Sequence, residues 1–122
     1  MCSSDLVDEW ERLPLWRTQS HLPDDVKQRQ RAIRLGSYPR GLALNLLGMG
    51  TGAQPSLWDT LPTLQVPTLF IAGALDDKFV GIARVMQARV PDASLAVIAD
   101  AGHTTHLERP TTFANAMKTL VR

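Results

Sequence analysis

The chain has 122 residues, 44% of them hydrophobic and 20% charged, which suits one small folded domain and excludes a disordered chain. Lys+Arg of 13 against Asp+Glu of 12 leaves a net charge of +1, so there is no electrostatic ground for expecting a nucleic acid or an acidic membrane as partner. No apolar run approaches the roughly 20 residues of a membrane span, no secretory signal pattern is visible at the start, and a single cysteine, Cys2, excludes an internal disulfide and fits a reducing, cytoplasmic setting.

Residues 1–6, MCSSDL, are expected to be a non-native start. They precede chain that reads as mid-domain, and CSSDL is also the in-frame translation of a common sequencing adapter. Residues 7–13 read as the end of a helix, and Pro14 with LWRTQSHL as a connection. Pro23 stands where a helix can begin, because its missing N–H costs nothing there. Asp24 and Asp25 suit the positive end of that helix, and Gly36 stops it. GLALNLLGM predicts a further helix ended by the glycines of GMGTG, and PSLWDTL a short helical turn before Pro62.

The texture then changes. VPTLFIAG, 66–73, predicts a strand buried on both faces, as in a parallel sheet. DDKFVGIARVMQARV carries apolar residues at 79, 82, 86 and 90, close to helical spacing, and SLAVIA, 94–99, predicts a second buried strand. TTFANAMKTLVR places Phe113, Met117, Leu120 and Val121 on one face of a last helix. Strand, helix, strand, helix makes a parallel unit with a right-handed crossover. The expected division is therefore a helical segment over 7–61 and an α/β segment over 62–122. Two strands alone expose an edge and an apolar face, which favours part of a larger sheet.

Ligand sites in open α/β sheets gather at the carboxyl ends of the strands. GALDDKF ends the first strand and DAGHTTH the second, so an acid and a histidine on adjacent strands can meet there. Asp76 and Asp77 both qualify as the acid; Asp76 also reads as a turn residue or helix N-cap, but Asp77 fits the cap well, which leaves Asp76 free for the pairing. His103 reads either as a base or as a surface-loop side chain. His106 lies three residues on, but no third ligand is spaced to make a metal site, and none is expected.

VPTLFIAGALDDKF together with AGHTTHLERPTTFANAM resembles the C-terminal half of an α/β-hydrolase. The resemblance implies the α/β class, as the C-terminal fragment of that fold: a helical cap segment followed by the last two parallel strands and their helices. It makes His103 the base of a Ser-His-Asp triad and Asp76 its acid, in the acid-then-His order of these enzymes. No G-x-S-x-G occurs in the chain, and its serines, at 3, 4, 20, 37, 56 and 94, sit on no strand-to-helix elbow. In the family the nucleophile lies earlier.

WERLPLW, AIRLGSYPRGLALNLLGMGTGAQPSLWDTL and DDKF further resemble the 2-succinyl-6-hydroxy-2,4-cyclohexadiene-1-carboxylate synthases of menaquinone biosynthesis. That family uses a triad to eliminate pyruvate from 2-succinyl-5-enolpyruvyl-6-hydroxy-3-cyclohexene-1-carboxylate, without metal or organic cofactor. The resemblance implies a small, carboxylate-rich substrate, with Trp10 and Arg34 as its binding residues, and the missing N-terminal half of the fold as partner. A guanidinium forks onto a carboxylate and an indole covers an apolar ring. The residues read without the resemblance leave Arg34 as a last-turn cation and Trp10 as packing. The competing functions are a hydrolase of esters or C–C bonds and an inactive fragment.

Overall fold

The computed structural model describes residues 3–120. Cys2 and Val121, on which expectations were placed above, lie outside the described residues. Two compact units form. One comprises the residues up to Leu13 with His21–Ser56, and the other Pro14–Ser20 with the residues from Leu57 on.

The first unit is helical. Helix α1 spans Ser3–Glu11 and so takes in residues 3–6 without a break. Helix α2 spans Asp24–Leu35, preceded by Pro23 and followed by Gly36, whose N–H bonds the Ala32 carbonyl at 3.0 Å. Helix α3 spans Pro39–Met49, with its proline in the first turn. Arg31 ties α2 to α1: its Nη1 donates to Glu11 and its Nη2 to Asp8, each at 2.6 Å. Arg34 adds a 2.9 Å bond to Glu11. The hydrogen bonds it donates to Asp8 and then Glu11 raise the Arg31 guanidinium pKa further above its already high ordinary value. It stays charged at any working pH.

The second unit holds the sheet. Strand β1 (Thr68–Gly73) pairs in parallel with β2 (Ala93–Ile98), in a register running from Thr68 opposite Ala93 to Gly73 opposite Ile98. Helix α4 (Asp77–Arg89) makes the crossover and packs on both strands. A four-residue helix, α5 (Thr105–Glu108), leads into α6 (Pro110–Lys118). The core is Ala72, Val80 and Ala83, flanked by Phe70 and Leu95.

Four expectations change. Residues 14–21 are not a plain connection but a 3₁₀ helix, and Pro14–Ser20 belongs to the α/β unit. The strands are not buried on both faces: β1 is half-buried from Thr68 to Ile71 and fully buried only at Ala72 and Gly73. A sheet of two strands leaves each strand one unpaired edge, so an apolar run is covered only where helices reach it. The inward face of α4 carries Val80 and Ala83 rather than Phe79, which is 40% exposed. On α6, Phe113 is half-buried while Met117 is exposed, as is Leu120 just beyond the helix. Among the described residues no large side chain is fully buried.

Candidate active site

The site forms where β1 and β2 end. The strands stay joined beyond their last paired residues, because the Ala74 N–H bonds the Ile98 carbonyl and the Leu75 N–H the Ala101 carbonyl, both at 2.9 Å. Asp100 turns the chain with φ 53°, a left-handed conformation that aspartate tolerates better than most residues. The loop after it then runs against Gly73. A Cβ at Gly73 would collide with the carbonyl oxygens of Ala101 and Gly102, and one at Gly102 with the Thr18 side chain. Both glycines are required by close approach, which accounts for the G of A-G-H and for the G that ends β1.

Asp76 and His103 meet across this junction. Asp76 Oδ2 lies 2.7 Å from His103 Nδ1. A carboxylate only accepts, so the bond requires a proton on Nδ1 and leaves Nε2 as the basic nitrogen of the neutral ring. The Asp76 side chain is 9% exposed and that of His103 30%, so the acid is covered while the imidazole opens to solvent. Two aromatic rings stand edge-on to the imidazole, Phe79 with centroids 4.7 Å apart and Trp16 at 5.8 Å.

The cap of α4 overturns one expectation. Asp76, not Asp77, is the N-cap residue, its Oδ1 accepting from the Phe79 N–H at 3.4 Å. The two oxygens of one carboxylate thus divide their work, Oδ1 to the helix end and Oδ2 to the imidazole. Asp77 falls in the first turn and is exposed. Capping and pairing are compatible roles, because a carboxylate has lone pairs for both.

His106 lies on α5, exposed, with its ring edge-on to Phe113 at 5.9 Å. It is a packing partner of α6 rather than a second loop histidine at the site. Among the described residues no three potential metal ligands gather.

Trp10 and Arg34 come together in the helical unit. They line one cavity of about 400 Å³ with Leu6, Val7, Leu42 and Leu46 among its walls. The wall is mostly apolar, with the guanidinium as its cation. Arg34 is held in place by its bond to Glu11.

One buried group was not singled out from the sequence. Glu108 is 3% exposed and accepts from three donors: the Gly102 N–H at 2.8 Å, the Thr18 hydroxyl at 3.2 Å and the Thr104 N–H at 3.3 Å. Its only sequence signal is its place in E-x-P, five residues after His103.

No protein-family model matches this chain. It is 41% identical over 107 residues to a Bacillus subtilis (strain 168) protein with a provisional assignment as 2-succinyl-6-hydroxy-2,4-cyclohexadiene-1-carboxylate synthase, covering 88% of this chain and 39% of that protein. It is 35% identical over 102 residues to the synthase of that name from Yersinia pestis bv. Antiqua (strain Nepal516), covering 81% of this chain and 36% of the relative. The structure of MenH from S. aureus superposes with a TM-score of 0.92 at 37% identity, over 94% of this chain and 43% of that one. The chain is homologous to part of these synthases. It spans about two fifths of the length of the curated relatives it matches. Its fold is that of the C-terminal portion of an α/β-hydrolase. No helix among the described residues is long and apolar enough to cross a membrane.

Proposed function

We propose that this chain supplies the acid–base half of a cytoplasmic, menaquinone-pathway synthase. The observation that carries the reading is the 2.7 Å bond between His103 Nδ1 and Asp76 Oδ2, in a chain whose relatives bear the synthase name. Asp76 holds the imidazole in the tautomer with a bare Nε2 and stabilises the imidazolium once Nε2 takes a proton. That proton comes from a serine hydroxyl in the remaining part of the fold. The activated serine oxygen removes a proton from 2-succinyl-5-enolpyruvyl-6-hydroxy-3-cyclohexene-1-carboxylate, and the electron pair expels pyruvate.

Trp10 and Arg34 are the proposed substrate-binding residues. The support is that they share one cavity, where an indole face suits the ring of the substrate and a guanidinium its carboxylates. No resident metal or organic cofactor enters the scheme. The partner is the N-terminal half of the same fold, which brings the nucleophile and the donors for developing charge. By itself the 122-residue chain is proposed to be inactive.

The test is complementation. The chain is mixed with the N-terminal half taken from a close full-length relative, and pyruvate is followed. Release from the mixture and none from either part is the expected result. Cleavage of an aryl ester without pyruvate release would sink the synthase reading in favour of a hydrolase. Release by the 122 residues alone would overturn the assignment of the nucleophile to the other half.

A further inference from the structure

We propose that Glu108 is the positioning residue of His103, and that it works by clamping the backbone on both sides of the histidine. The proposal rests on reading His103 as the base. Glu108 does not touch the imidazole. Its Oε2 takes the N–H of Gly102, the residue before His103, and its Oε1 the N–H of Thr104, the residue after it. Two charge-assisted bonds therefore bracket the one residue whose ring must face Asp76. The carboxylate comes from the end of α5, one helical turn along the chain, so the loop closes on its own helix.

The clamp is anchored from outside the loop as well. The Thr18 hydroxyl donates to Glu108 Oε1 at 3.2 Å, and Gln19 Nε2 donates to the Thr104 hydroxyl at 2.9 Å. Trp16, from the same 3₁₀ segment, stands edge-on to the His103 ring. Thr18 also occupies the space that a side chain at Gly102 would need. Three residues of one short segment thus bear on the loop, its carboxylate and its ring. A carboxylate that is 3% exposed is costly to bury unless its oxygens are hydrogen-bonded, and here its hydrogen bonds go to the two peptide groups that set where His103 points. A change at Glu108 is therefore expected to appear at the imidazole.

Solid-state ¹³C,¹⁵N spectra of the uniformly labelled 122-residue chain test this, since they read the histidine ring nitrogens and the strand amides in any state of association. In the wild type the neutral His103 ring is expected to carry its proton on Nδ1, with Asp76→Asn as the control that assigns the signal. Glu108→Ala is expected to lose most of the Nδ1–H population and show the mixed tautomers of a solvated imidazole, with the backbone signals of β1 and β2 unmoved. Glu108→Gln keeps the size but turns an N–H₂ towards backbone donors, and is expected to lose part of that population. A wild-type ring signature in both variants, with the strands intact, overturns the proposal. If Glu108→Ala loses the strand signals, Glu108→Gln decides alone: an unchanged ring overturns the proposal and a shifted one supports it. The spectra need no substrate, so failure to find synthase activity leaves this result standing, and an unchanged ring leaves the proposed reaction standing.

Discussion

The two units of this chain are held by different physics. Among the described residues, six hydrophobic ones are buried in the α/β unit, Ala72, Val80, Ala83, Val90, Ile98 and Ala101, against Val7 and Leu22 in the helical unit. The helical unit instead joins α1 to α2 through Arg31 and Arg34 on Asp8 and Glu11, and leaves Leu44, Leu46 and Leu47 of α3 at 60–77% exposure. Parallel strands need a crossover helix, and that helix brings its own apolar face to cover them. Short helices carry no such obligation, so charged side chains set their mutual placement here. The lesson concerns placement as well: the unit with the packed core holds the Asp76–His103 pair, and the unit with the open apolar wall holds the cavity.

That division of labour can be broken by mutation, most severely at the chemistry. In the complemented enzyme His103→Ala is expected to cut pyruvate release by about 10²–10⁴-fold, the usual worth of a general base, with KM little changed. Arg34→Ala is expected to act the other way, raising KM by roughly 10- to 100-fold for the loss of one charge-assisted contact while kcat changes less. Equal effects of the two variants on kcat would show that the units do not divide binding from chemistry.

Stability effects should be smaller and equally uneven. Gly73→Ala forces a methyl group against the Ala101 and Gly102 carbonyls and should cost at least about 2 kcal/mol, read as faster hydrogen exchange of the β1 and β2 amides. Val80→Ala removes a side chain from the core and should cost about 1–2 kcal/mol, whereas Leu47→Ala on exposed α3 should stay within about 0.5 kcal/mol. Similar costs for the two would mean that the α3 face is covered. Arg31→Met should lower the melting temperature slightly in dilute buffer and have no further effect in molar salt, because exposed ion pairs are screened. A loss that persists in salt would assign Arg31 a packing role instead.

Much of this was legible beforehand. Both strands, the crossover helix and the approach of an acid to His103 follow from local pattern and from the rule that parallel strands present their carboxyl ends together, and the family resemblance singles out Asp76 as that acid. What sequence reasoning missed is long-range and polar. Thr18 and Gln19 lie 90 and 85 residues from their partners Glu108 and Thr104, so no local periodicity connects them, and their segment read as a connection. The cap on α4 was misassigned between two adjacent aspartates because a carboxylate can serve a helix end and an imidazole at once. The half-covered strands were read as fully buried because an apolar run reports what a residue prefers rather than what neighbours are present.

The sequence by itself therefore determined both strands, the crossover helix and the α/β order, since those depend on apolar spacing, turn residues and the fixed polarity of parallel strands, while the choice of Asp76 over Asp77 rested on the family resemblance. Only the tertiary structure decided which oxygen of Asp76 does which task, why residues 73 and 102 must lack a side chain, and that a buried carboxylate grips the backbone on either side of the histidine. These depend on atoms brought within hydrogen-bond reach from distant parts of the chain. Such approaches are set by packing, and side-chain type alone carries no record of them.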